Sequence, residues 1–119
     1  MVTTLITGGT SGIGLELARQ AAADGSDLIL VARDETALKA AAEELGHRVS
    51  VDTIRVDLSQ VGAAEDVYAQ VNAIGRRVNA LINCAGFGDY GPFAASNLSK
   101  QEQMIAVNVT ALTALTRLF

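Results

Sequence analysis

Cysteine is nearly absent from this 119-residue chain, and a single one, Cys84, excludes an internal disulfide. The one histidine, His47, lies far from it in sequence, so the two do not form a metal-ligand spacing. Cys84 reads as a small buried filler. Lysine is almost as scarce, with only Lys39 and Lys100, and the formal net charge is −4. A nucleic-acid backbone needs clustered Lys and Arg, so nucleic acid is not an expected partner. No apolar run approaches the roughly 20 residues of a membrane span, and no basic segment or cleavage site precedes the first apolar stretch. Those absences set the expectation of a cytoplasmic protein with no metal, membrane or nucleic-acid partner. No repeat, linker or low-complexity segment divides the chain. What is present in quantity is apolar: half of the residues are hydrophobic, which suits one α/β domain over residues 1–119.

The most informative stretch comes first. Val2 to Ile6 is a short apolar run that breaks into TGGTSGIG, Thr7 to Gly14, and then into a helix-forming segment from Leu15. A strand that ends in a sharp glycine turn and opens directly into a helix aims free backbone N–H groups at one point, where an anion can sit. The helix dipole adds partial positive charge there. Gly8 is expected to make the turn, Gly12 to let the backbone approach a pyrophosphate, and Gly14 to let the helix lie close against the strand. No Lys follows the last glycine, so the segment is not a nucleoside-triphosphate P-loop.

Strand and helix then alternate. Val2 to Thr7 reads as a strand, Gly12 to Asp24 as a helix with Gly25 at its end, and Leu28 to Ala32 as a strand covered on both faces. Asp34 suits the cap of a second helix whose Leu38, Ala41, Ala42 and Leu45 share a face, with Glu35 and Lys39 paired outside and Gly46 ending it. Val49 to Val56 alternates as a third strand. Val67, Val71 and Ile74 mark the inner face of a third helix, and Val78 to Ile82 is the fourth strand. Ser99 with Glu102 has the form of a capping box. It would open a last helix with the inward stripe Met104, Val107, Ala111, Leu115 and Leu118. Right-handed crossovers give a Rossmann-type parallel sheet of order 3-2-1-4, the first half of a doubly wound fold. In such sheets a ligand binds outside the carboxyl ends of the strands where their order reverses. Thr7 to Gly14, Arg33, Asp57 with Leu58, and Asn83 to Gly86 all fall at those ends.

The ordered set TGGTSGIG, VDL at Val56 to Leu58, NCAG at Asn83 to Gly86, and Asn108 within VNV resembles the short-chain dehydrogenase/reductase family over the whole chain. The resemblance implies a nicotinamide cofactor bound by Gly8, Thr10, Ser11, Gly12, Ile13 and Gly14 of the first turn. Asp57 would accept from the adenine amino group, with the Leu58 backbone nearby, and Asn83, Ala85 and Gly86 would support the first strand and border the cofactor. Cys84 stands where the family usually has a second Asn. Asn108 would hold a water in a proton relay, and as a buried amide it would also need a backbone partner. Arg33, in ARDETAL, resembles the family's NADP pattern, since its planar fork pairs with a 2′-phosphate. Asp34 opposes that reading but has an ordinary role as a cap, and Ser11 fills the family's other common basic position. NADP is therefore favoured over NAD.

The family's reaction needs a Tyr with a Lys four residues later, and a Ser. Tyr68 is followed at that spacing by Asn72, and Tyr90 by Ala94. The catalytic set is thus absent from these residues, and the last helix stops within an apolar stripe. The expectation is the cofactor-binding half of a truncated NADP-dependent oxidoreductase, inactive by itself, whose complete form acts on a carbonyl or alcohol and assembles as a homo-oligomer. The alternative is a non-catalytic dinucleotide-binding or oligomerisation module. A methyltransferase is a weaker third reading, because the glycine spacing and Arg33 suit a dinucleotide better.

Overall fold

The structure, a computed structural model, describes residues 1–119. Four strands, β1 (Thr3–Thr7), β2 (Asp27–Ala32), β3 (Val51–Arg55) and β4 (Ala80–Asn83), form one parallel sheet of order β3-β2-β1-β4. Three helices connect them: α1 (Gly12–Ala23), α2 (Glu35–Leu45) and α3 (Ala63–Ala73). After β4 a loop with one 3-10 turn, Phe93–Ala95, leads to α4 (Leu98–Ile105), a π-helical segment (Ala106–Ala111) and α5 (Leu112–Leu118). Thr7 pairs with Val31 on one side and Asn83 on the other, so the carboxyl ends of the central strands finish level.

Side-chain alternation along the strands builds two cores. Leu5, Ile29, Val31 and Ile54 face α3 and α5, where Val67, Val71 and Leu115 cover them. Ile6, Leu28 and Leu30 face the other way onto Ala18 and Ala22 of α1 and Leu38, Ala41 and Leu45 of α2. The unbroken apolar run of β2 is explained by this double cover, with Leu28, Ile29, Leu30 and Val31 all fully buried. Tyr68 of α3 meets Phe119 edge-on at 5.2 Å between ring centres, which ties the chain's last residue to helix α3.

Several local expectations are corrected. The strands β3 and β4 start two residues later than the apolar pattern suggests. Ser99 does not cap the last helix: the Asn97 side chain does, accepting from the Lys100 N–H at 3.0 Å. Asn is as good a cap as Ser, and it lies where the extended backbone ends, so the helix begins before Ser99. Ile74 falls beyond the end of α3 and is exposed, because the chain turns away at Gly75. The last helical stripe is not continuous either. The π segment inserts an offset around Asn108, leaving Ala111 and Leu115 buried while Met104, Val107 and Leu118 are half-buried.

Candidate functional site

The carboxyl ends of the strands open onto a cleft of about 580 Å³, lined from every strand end and from the start of α1. The first turn forms its floor. Gly8 has a φ of +63°, and its N–H donates to the Val31 carbonyl at 2.9 Å. A Cβ on Gly8 would come within 3.0 Å of the Ala85 backbone, so this glycine is required by conformation and by space. At Gly14 a Cβ would run into the Gly8 carbonyl. The close approach of α1 is therefore to the turn rather than to the strand itself. Gly12, at a φ of +53°, has open space where a Cβ would stand.

The N-terminus of α1 is electrostatically bare. Ser11 occupies its N-cap without a side-chain hydrogen bond, and no acidic residue lies in the first turn. The other helices beside the sheet differ. Asp34 caps α2 by accepting from the Ala37 N–H, and Glu65 and Asp66 sit in the first turn of α3. Only at α1 do the unpaired N–H groups of the first turn meet the cleft without an anion supplied by the chain.

Two polar residues fix the opposite wall. The buried Thr7 hydroxyl accepts from the backbone N–H groups of Cys84 and Ala85, at 3.1 and 3.0 Å, and holds the NCAG segment over the glycine turn. Asn108 clamps the residue that follows NCAG: its Oδ1 accepts from the Phe87 N–H at 3.1 Å, and its Nδ2 donates to the Phe87 carbonyl at 2.8 Å. Gly86 leaves the space for this, since a Cβ there would lie 2.8 Å from Asn108 Oδ1. Asn108 is exposed rather than buried, yet both ends of its amide are bonded to the backbone. Cys84, expected to be buried, is half-buried and lines the cleft, so it is more than core filler.

The remaining wall is charged. Asp57 is half-buried, and its Oδ1 accepts from the Ser59 hydroxyl at 2.7 Å and the Ser59 N–H at 3.0 Å. Those two bonds hold its carboxyl below the usual aspartate range. Gln60 and the charge of Arg33 add to the effect, and partial burial opposes it. Arg33 is exposed at the cleft and forms no ion pair.

Of the residues singled out in the sequence, Gly8, Thr10, Ser11, Ile13, Gly14, Arg33, Asp57, Leu58, Ala85 and Gly86 line this one cleft. Gly12, Asn83 and Asn108 do not. The Asn83 side chain turns instead to α5 and donates to Thr116 Oγ at 3.1 Å. Sequence reasoning missed Ser59, Gln103 and Val107 as lining residues. Ser59 carries a usable signal, because an Asp with a Ser two residues on favours a local side-chain turn. The others reach the cleft only through tertiary packing. Neither tyrosine lies there: Tyr68 packs on Phe119 and Tyr90 is fully exposed.

A glycine turn and a bare helix N-terminus at the reversal point of a parallel sheet define a Rossmann-like α/β protein. The chain belongs, more narrowly, to the short chain dehydrogenase family, whose model matches residues 2–119. It is 35% identical to galactitol 2-dehydrogenase (L-tagatose-forming) of Cereibacter sphaeroides, over 96% of this chain and 44% of that protein. Sulfoacetaldehyde reductase 2 of Chromohalobacter salexigens is 39% identical over 94% of this chain and 45% of its own length. Among solved structures, a short-chain dehydrogenase from Sphingobium yanoikuyae in complex with NADPH superposes with a TM-score of 0.90 at 37% identity, over 99% of this chain and 46% of that one. A metagenomic short-chain oxidoreductase in complex with NADP gives a TM-score of 0.91 at 31% identity, over 99% and 54%. The chain thus spans about half the length of the relatives it matches. The family is one of oxidoreductases that use nicotinamide cofactors, and no helix here is long and apolar enough to cross a membrane.

Proposed function

We propose that this chain is the NADP-binding part of an oxidoreductase that transfers hydride between a nicotinamide and a carbonyl or alcohol. The observation that carries the reading is the cleft's distribution of charge: a helix N-terminus with no anion of its own and an arginine with no ion-pair partner line the same groove. The first suits a pyrophosphate and the second a 2′-phosphate. The cleft also lies within the roughly 300–1,000 Å³ range of small-molecule sites. When bound, the dinucleotide supplies the hydride donor or acceptor.

The chain's own residues would hold and orient it. The turn from Thr10 to Gly14 receives the pyrophosphate on its N–H groups, and Gly12 offers it open space. Asp57 keeps Oδ2 free while Ser59 occupies Oδ1, which leaves one carboxylate oxygen for the adenine amino group. Ala85 and Gly86 would border the cofactor, and Asn108 holds the Phe87 backbone beside them. A water relay at Asn108 belongs to the same proposal. Two structural neighbours support NADP, since the Sphingobium and metagenomic structures are NADPH and NADP complexes. The whole protein would act on a small carbonyl or alcohol and associate with further copies of itself, with Tyr and Lys catalysts supplied outside residues 1–119.

Arg33→Ala tests the cofactor assignment. Loss of a charge-assisted contact of about 1.5–3 kcal/mol should weaken NADPH binding by roughly tenfold or more and leave NADH nearly unchanged, measured by fluorescence titration. Equal loss for both nucleotides would sink the NADP reading.

A further inference from the structure

Arg33 is free although carboxylates crowd its neighbourhood. Asp34 follows it directly, Glu35 is two residues on, and Asp57 lines the same cleft. None forms an ion pair with Arg33, and each has another hydrogen-bond or ion-pair partner. Asp34 Oδ1 accepts from the Ala37 N–H at 3.2 Å, and Asp57 Oδ1 is taken by Ser59. Glu35 is held by Arg55, with Nη1 at 3.7 Å from Oε2, and by Lys39, with Nζ at 3.9 Å from Oε1. Arg55 is the last residue of β3 and makes a second contact, donating from Nε to the Arg33 carbonyl at 3.2 Å. Ile54 and Val56 on either side of it are buried, so alternation turns Arg55 to the opposite face, where α2 begins. One guanidinium therefore touches both the backbone of Arg33 and the carboxylate two residues beyond it.

We propose that Arg55 is a positioning residue for cofactor specificity: it draws Glu35 away from Arg33 and so keeps the Arg33 guanidinium available to a 2′-phosphate. The inference rests on the NADP reading above and extends it to a residue outside the cleft. Without Arg55, Glu35 is held only by Lys39, a flexible point charge that makes no contact with the Arg33 loop. A carboxylate released there competes with phosphate for the same fork of N–H groups. The planar guanidinium is suited to the task because it can meet a carbonyl and a carboxylate at once.

The test compares 2′,5′-ADP with 5′-AMP, which differ only in the 2′-phosphate, by calorimetric titration of the protein and its variants. Arg55→Ala should weaken 2′,5′-ADP by about fivefold, the scale of an exposed ion pair, and leave 5′-AMP unchanged. Adding Glu35→Gln to that variant should restore most of the lost 2′,5′-ADP affinity, because the competing carboxylate is gone. Glu35→Gln alone should change little. If the double variant binds 2′,5′-ADP as poorly as Arg55→Ala, or if Arg55→Ala weakens both nucleotides alike, the role of Arg55 is overturned. Arg55→Gln, alone and with Glu35→Gln, keeps the side-chain bulk and carries the same comparison should the alanine variant not fold. The two readings fail separately: an unselective Arg33→Ala strikes the NADP assignment, whereas a selective Arg33→Ala with an unselective Arg55→Ala strikes only this proposal.

Discussion

The two ends of the sheet are built on opposite electrostatic plans. At the amino ends of the strands the main charges and polar groups are matched. Arg76 donates from Nε to Asp52 at 2.8 Å, from Nη1 to Asp27 at 3.1 Å, and from Nη2 to the Ser50 hydroxyl. Asp27 is almost fully buried, and its other oxygen accepts from the Ser50 N–H at 3.0 Å. Asn79 accepts from the Thr3 N–H, and the Thr4 and Ser26 hydroxyls share a hydrogen bond. At the carboxyl ends the helix α1 N-terminus is uncapped, Arg33 has no partner, and one oxygen of Asp57 is open. Buried polar groups cost free energy unless they are paired, so the amino end reads as a fastening. The carboxyl end keeps its polar groups at an open cleft, where water satisfies them until a ligand does.

The sharpest way to break this comparison is to destroy the cleft end's geometry. Gly14→Ala places a Cβ against the Gly8 carbonyl and should cost about 3 kcal/mol or more, or prevent folding outright. Urea denaturation measures it, and a stable variant would show that the turn can relax. Arg76→Ala attacks the other end. It leaves the buried Asp27 with a single backbone partner and should destabilise the fold by about 2 kcal/mol, below the roughly 3–5 kcal/mol of a fully buried broken pair because the Arg76 side chain is partly exposed. Nucleotide affinity should not change, and a parallel loss of affinity would mean that the two ends are not separable.

Smaller effects separate fastening from binding within the cleft itself. Asn108→Ala removes both bonds to Phe87 and should cost about 1 kcal/mol, given their exposure. Faster hydrogen exchange at the Phe87 amide, with the β1 amides still protected, is the expected signature. Ser59→Ala should give the smallest change. Because Ser59 holds the Asp57 carboxyl below its ordinary value, ionised Asp57 stabilises the fold above its unfolded pKa of about 3.9. That contribution fades as pH falls through the lower folded value. In Ser59→Ala the carboxyl should titrate closer to the ordinary range, followed by carbon NMR, and acid unfolding should begin at a higher pH.

Legibility in the sequence followed the same division. The glycines of the first turn, the double cover of β2 and the order of the strands could be read directly, because each depends on local conformation or on periodicity. Arg33 could be placed at the cleft because a strand end is a local event. That Glu35 pairs with Arg55 and Asp57 bonds Ser59, while Arg33 forms no ion pair, could not be read, since it depends on where β3 and the Asp57 loop come to lie. Cys84 illustrates the limit in a different way. A lone cysteine in an apolar stretch suggests burial, but its position beside the glycine turn leaves it half-exposed in the cleft. The amino-end fastening was missed entirely, as Arg76, Asp52 and Asp27 are separated by 24 and 49 residues.

The sequence by itself determined the parallel α/β architecture, the position of the glycine turn at the end of the first strand and the family to which the chain belongs. These follow from apolar periodicity, from glycine where a side chain cannot stand, and from short motifs whose spacing survives without knowledge of contacts. Only the tertiary structure decided which polar groups are satisfied by the chain and which are left open. Asn108 bonds the Phe87 backbone, Asn83 turns to Thr116, and Glu35 pairs with Arg55, because pairing across the fold depends on distances that linear spacing does not encode.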